Sequence, residues 1–160
     1  MNRNELNFKK VKFSSKSDYR KLDSILRNWF SDPKTLNFVS PKSTYPFEMK
    51  DWVKKNYLDQ VDKEVSITAS KLDWVIGFGS ISMSNNNGHL FNVIIDKAYR
   101  NKGTGTELVS KLEKIGQTNK LNTFSVNIYT KNEPAINLYK KSGYKIKKES
   151  IKTLKMVKSI

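Results

Sequence analysis

The sequence predicts an α/β domain built on a mixed sheet, and three observations carry that prediction. Period-two and helical apolar spacings take turns along the chain, as interleaved strands and helices require. The stretch from Phe91 to Gly116 joins an apolar run to a basic, glycine-bearing loop and then to a helical pattern. No internal repeat or linker divides the 160 residues, so one domain over 1–160 is expected. Such a chain buries roughly two-thirds of its unfolded surface.

Leu6 to Phe13 alternates apolar and polar residues with one slip and reads as the first strand. Ser15 and Ser17 are candidate caps for the helix that follows, with Asp18 in a first turn whose dipole favours negative charge. Tyr19, Leu22, Ile25, Leu26, Trp29 and Phe30 mark one helical face, and Asp32-Pro33 is expected to stop it. Phe38 to Phe47 reads as a loop carrying Phe38, Tyr45 and Phe47. Loop aromatics either plug a core or line a pocket, and both readings stand for these three. A second helix is expected over roughly Glu48 to Leu58.

Val65 to Ala69 and Trp74 to Met83 read as strands joined by Lys71-Leu72-Asp73, with Gly77 and Gly79 marking a bulge or a close backbone neighbour. Ser84 to Gly88 is a hairpin turn, because Asn and Gly tolerate positive φ. The apolar strand Val93, Ile94, Ile95 leads into a helix marked by Leu108, Val109, Leu112 and Ile115. Leu121 to Tyr129 is a further strand, with Phe124, Val126 and Ile128 on one face. In NEPAINLYKKSGY, Asn132 caps a short helix, Pro134 sits in its first turn and Gly143 ends it. Tyr144 to Lys148 and Lys152 to Ile160 close the chain as strands, giving the order β-α-α-β-β-β-α-β-α-β-β.

Composition narrows the function classes. There is no cysteine, which removes disulfides, thiolate nucleophiles and cysteine metal sites together, and with His89 the only histidine no metal is expected. No apolar run of about 18 residues exists for a membrane span. The opening MNRNELNFKK has no apolar stretch for a signal peptide, so the cytoplasm is the expected compartment. A formal charge of +15 favours polyanions: nucleic acid, an acidic membrane surface or a phosphorylated cofactor. The lysines are spread through helices, loops and C-terminal strands with no arginine cluster, so nucleic acid is the less favoured partner.

Strand, glycine turn and helix, in that order, aim free backbone N–H groups and the positive end of a helix dipole at one spot, which suits phosphate. The pattern lacks the Gly-Lys-Ser/Thr of a P-loop, and Leu108 stands where the third glycine of a dinucleotide fingerprint belongs. What is present is Arg100-x-x-Gly103-x-Gly105 after VIID, with NEPAINLYKKSGY about thirty residues on. Together these resemble the GCN5-related N-acetyltransferase superfamily, with flanking elements matching from about residue 6 to 158.

The resemblance implies a mixed, mostly antiparallel twisted sheet of about seven strands flanked by about four helices. It implies acetyl-CoA as co-substrate, without a metal. The N–H groups of Asn101, Lys102, Gly103, Thr104, Gly105 and Thr106 would receive the pyrophosphate, the glycines keeping side chains out of the turn, with Arg100 and Lys102 adding charge. The backbone of Val93, Ile94 and Ile95 would pair with the pantetheine arm, and Asn132 would bond it. Tyr139 lies two helical turns after Asn132, on the same face, and by resemblance gives its phenolic proton to the leaving thiolate.

The chain also departs from a pattern. Some protein N-terminal acetyltransferases of the superfamily keep a glutamate five residues before that asparagine; here Asn127 stands there and cannot act as a base. Glu48 and Asp96 are other candidates, Asp96 more as a structural cap, and His89 is expected away from the sulfur, so no base is assigned. The acceptor site is implied between the first two helices, near Phe38, Tyr45, Phe47 and Glu48. An aromatic, acid-poor pocket suits a small amine of apolar character better than a polycation. A protein or ribosomal-protein amine, or a nucleic-acid-associated module that keeps the fold, are the alternatives. A homodimer is compatible with exposed C-terminal strands.

Overall fold

The computed structural model describes residues 5–57 and 63–160. The strands are β1 (Leu6–Val11), β2 (Lys63–Lys71), β3 (Trp74–Ser84), β4 (Asn87–Ile95), β5 (Thr123–Tyr129), β6 (Lys145–Glu149) and β7 (Thr153–Ser159). The helices are α1 (Lys16–Trp29), α2 (Pro33–Val39), α3 (Met49–Asn56), α4 (Thr104–Thr118) and α5 (Glu133–Lys141). The strands form one sheet in the order β1-β2-β3-β4-β5-β7-β6. Every neighbouring pair is antiparallel except β4 and β5, so the expected mixed, mostly antiparallel sheet of seven strands is the one observed. Among the described residues, no helix is long and apolar enough to cross a membrane.

The helix count exceeds the expected four because of α2. Asp32 ends the stretch after α1, but its carboxylate also accepts from the N–H groups of Lys34 and Thr35, and Pro33 occupies the first helical turn. Proline has no N–H to lose there and its φ is already helical, so the dipeptide read as a stop is also a start. The expected loop from Phe38 thus begins inside α2. Ser15 alone caps α1, while Ser17 lies within it. Leu58, the expected end of the second predicted helix, lies outside the described residues; α3 begins one residue after its cap, Glu48.

Two apolar clusters sandwich the sheet. Leu22, Leu26, Phe30, Leu36, Met49 and Trp52 of the first three helices pack with Phe78 and Ile94. Leu108, Val109 and Leu112 of α4 pack on the other face with Ile81, Leu90, Phe124 and Val126. Each such large side chain contributes about 1.5–3 kcal/mol when fully buried.

Two features of β4 set up the site. It pairs with β5 only from Asn87 to His89, opposite Thr123 to Ser125, and beyond that the strands part. It also carries a bulge, since Phe78 faces Ile94 and Ser80 faces Phe91, leaving Asn92 and Val93 opposite Gly79. Asn92 has φ +51°, and a Cβ on Gly79 would meet Val93 at 3.3 Å and Leu112 at 3.1 Å. The expected bulge is therefore real and leaves glycine as the residue that fits there.

Candidate active site

Parting of β4 from β5 opens a cleft of about 250 Å³. Its walls are Leu90 to Val93 of β4, Val126 to Ile128 of β5, Asn132, Ala135 and Tyr139 of the α5 segment, and Phe38, Val39, Pro41 and Lys42 from the end of α2. Among the described residues, one edge of β4 beyond His89 has no partner strand, so its backbone donors and acceptors face the opening. An extended amide-bearing chain can complete such an edge as another strand would. Of the three residues expected to offer that backbone, Val93 lines the cleft, whereas the Ile94 and Ile95 side chains are buried on opposite faces of the sheet.

The basic loop follows the end of β4. Arg100 donates from Nε to the Ile95 carbonyl at 3.0 Å, tying the loop to the strand. Asn101 has φ +62° and Gly103, the N-cap of α4, has φ +83°. No side chain caps α4, so the N–H groups of Thr104, Gly105 and Thr106 at its first turn are available to an anion, with the dipole behind them. Nothing lies within 4 Å of a Cβ built on Gly103; there the conformation requires glycine. At Gly105 a second constraint appears, because its Cβ would meet both Leu138 methyls at 3.2 Å. It lets α4 and α5 approach. Lys102 lies over the Tyr99 ring at 5.6 Å from its centroid.

Asn132 caps α5, its Oδ1 accepting from the Ala135 N–H at 3.3 Å, which leaves the amide nitrogen for the cleft. Tyr139 lines the same cleft although only 3% exposed. Burial, and then the charge of Glu113, push its phenol well above the ordinary value of 10.0, so it holds its proton at neutral pH. Its ring meets Tyr144 edge to face at 5.2 Å. Tyr144 in turn donates to Glu113 Oε2 at 2.9 Å, while Lys158 donates to Oε1 at 3.1 Å. Glu113 was not singled out from the sequence; its signal is an acid on the apolar face of α4, between Val109, Leu112 and Gly116.

The four residues expected on the acceptor side separate. Phe38 lines the cleft, its ring centroid 6.1 Å from that of Tyr129. Tyr45 is 54% exposed and donates to the Ser31 carbonyl at 3.2 Å. Phe47 is core, between Phe30 at 5.4 Å and Trp52 at 5.9 Å. Glu48 caps α3, accepting from the Lys50 and Asp51 N–H groups at 3.2 and 2.9 Å. Asp96 is a cap as expected, accepting from Ala98 N–H at 2.9 Å and from Trp29 Nε1 at 3.2 Å.

His89, expected at the start of its strand and away from the sulfur, stands in the cleft wall where β4 and β5 part, with Ser125 Oγ 3.0 Å from its Nδ1. Burial lowers its pKa first, and Lys155 and Lys42 add to the effect, so it is neutral at pH 7. Behind it a buried polar network fixes the bulge. Trp52 Nε1 donates to Ser40 Oγ at 2.9 Å, Ser40 to Asn92 Oδ1 at 2.6 Å, and Asn92 Nδ2 to Tyr57 OH at 3.1 Å and Asn56 Oδ1 at 3.3 Å. These partners come from α2, α3 and β4, far apart in sequence, and left no local signal. Among the described residues, no group of three or more His, Asp or Glu side chains is placed to hold a metal.

Comparisons agree with this geometry. No sequence among curated proteins matches. Solved structures similar to this one include an acetyltransferase of the GNAT family from Streptococcus pneumoniae, 21% identical, with a TM-score of 0.72 over 98% of this chain and 99% of that one. Another is the spermidine N-acetyltransferase of Vibrio cholerae in complex with CoA and spermine, 14% identical, TM-score 0.71, covering 96% and 95%. A third is the Escherichia coli N-acetyltransferase that acts on an alanine of a ribosomal protein, 14% identical, TM-score 0.69, covering 98% and 94%. At such identities the likeness is one of fold. Residues 24–144 match the family described as Acetyltransferase (GNAT) family, most of the chain, and with the uncapped α4 and the parted strands this makes the protein an acetyl-CoA-dependent member of the GNAT acetyltransferase family.

Proposed function

We propose that the protein transfers an acetyl group from acetyl-CoA to the primary amine of a small molecule by direct attack. The observation that carries this reading is the cleft itself: β4's unpaired edge, Asn132 and Tyr139 meet there, and Phe38 and Lys42 close its other side. At about 250 Å³ the cleft is narrow, which favours a small acceptor over a bulky one.

Acetyl-CoA supplies the thioester carbon that the amine attacks. The chain's residues divide the remaining work. The first-turn N–H groups of α4 bind pyrophosphate, with Arg100 and Lys102 contributing charge near it. The open edge at Val93 to Ile95 and the Asn132 amide align the extended arm. Tyr139 holds a proton at its phenol oxygen for the departing sulfur. Neutral His89, with its second ring nitrogen unused among the described residues, can take the proton that the amine must lose.

Thiol release from acetyl-CoA with a panel of small amines tests the proposal. Amine-dependent release is the expected result. Acetylation of a basic polypeptide, with no small amine turned over, would overturn it in favour of a protein acceptor.

A further inference from the structure

Among the described residues, the cleft wall contains no carboxylate. Its charged member is Lys42, and its other polar side chains are His89, Tyr139, serine and asparagine. Strand register extends the positive character. Asn127 of the wall lies opposite Lys155 of β7, and Lys155 lies opposite Lys148 of β6. Opposed residues of antiparallel strands share a face about 4.5–5.5 Å apart, so these lysines stand beside the cleft on the His89 side of the sheet. Glu149 pairs with Leu154 and therefore points to the other face.

Lys42, Lys148 and Lys155 enter none of the ion pairs formed among the described residues. Lys42 and Lys155 are exposed, and both act on His89, which places their charges at the same end of the cleft. An acceptor bearing only ammonium groups would meet like charge there with nothing to pair it. An acceptor that also bears an anion would be drawn in and held at that rim, with its amine inside the cleft that His89 lines.

We infer that the acceptor is an amine carrying a carboxylate or phosphate group, held by Lys42 and Lys155 at the rim of the cleft. This inference rests on the small-amine acetyltransferase reading above. Polyamines are correspondingly poor acceptors.

Paired acceptors test it: phenylalanine against phenethylamine for the carboxylate, O-phosphoethanolamine against ethanolamine for the phosphate, and spermidine as the polycation. In at least one pair the anion-bearing member should show a kcat/KM at least tenfold above the partner that carries only an ammonium group, and which pair does so identifies the anion. That advantage should shrink with added salt. Lys42→Gln and Lys155→Gln should remove most of it through KM, Lys155→Arg should retain it, and the thermal shift produced by acetyl-CoA should be the same in all. Equal or faster turnover of the partners without an anion, spermidine as the best acceptor, or unchanged KM in both glutamine variants would overturn the inference. If acetyl-CoA stabilises the protein and thiol is released without any anion advantage, only this inference fails. If acetyl-CoA gives no shift, the acetyltransferase reading fails and takes the inference with it.

Discussion

The two ends of the cleft are built differently. The part proposed to bind the coenzyme comes from two short stretches of sequence, the end of β4 running on into the loop before α4, and the cap of α5 with its next two turns. Its groups are largely backbone: an open strand edge, an uncapped helix, a glycine at φ +83°. The end proposed for the acceptor takes Phe38 and Lys42 from α2 and its exit, Asn56 from α3, His89 and Asn92 from β4 and Asn127 from β5. It depends on side chains meeting across the fold. A site made of backbone constrains residue type locally, whereas one made of side chains constrains only the tertiary arrangement.

If the ends are separable, substitutions should sort by end. The largest effect is expected at their junction. Tyr139→Phe should lower kcat by about 10²-fold or more while acetyl-CoA binding persists, measured by thiol release beside a thermal shift. Unchanged turnover would remove Tyr139 from the proton transfer. Next comes Asn92→Leu on the acceptor side. It leaves Ser40, Asn56 and Tyr57 short of partners, at about 1–3 kcal/mol for each group unsatisfied, and sets a bulky residue at positive φ. A lower urea midpoint at unchanged slope is the expected readout.

Gly103→Val probes the coenzyme end. Forcing a β-branched residue to φ +83° costs about 1–2 kcal/mol and should weaken acetyl-CoA binding about tenfold without changing acceptor preference. The smallest effect is in pH dependence. His89 titrates below its ordinary value of 6.5, so the folded state binds fewer protons than the unfolded chain just under that pH. Its contribution to stability is therefore complete above 6.5 and falls as the pH drops toward the folded value. His89→Gln should remove that acid slope in stability and the matching acid limb of kcat/KM.

Legibility from sequence followed the same division. Gly103 and Asn132 were readable because a left-handed cap and an asparagine N-cap each demand a residue type. Gly105 was readable as a glycine, but its close approach to Leu138 was not, since that contact depends on how α4 and α5 pack. On the other side, α2 escaped because proline both ends and begins helices. Phe47 reads equally as core or pocket and Glu48 as an acid near the acceptor at the start of a helix; the fold uses one as core and the other as that helix's cap. His89 entered the cleft only because β4 and β5 part at its position, a property of register and not of local pattern.

The central claim is that the uncapped α4 and the open edge of β4 together bind acetyl-CoA, and thermal denaturation of the intact protein with added acetyl-CoA tests it most directly. At a hundred times the dissociation constant the ligand should add about 2.7 kcal/mol of stability, with a smaller gain for Gly103→Val at the same concentration. No stabilisation of the unmodified protein at millimolar acetyl-CoA would contradict the claim.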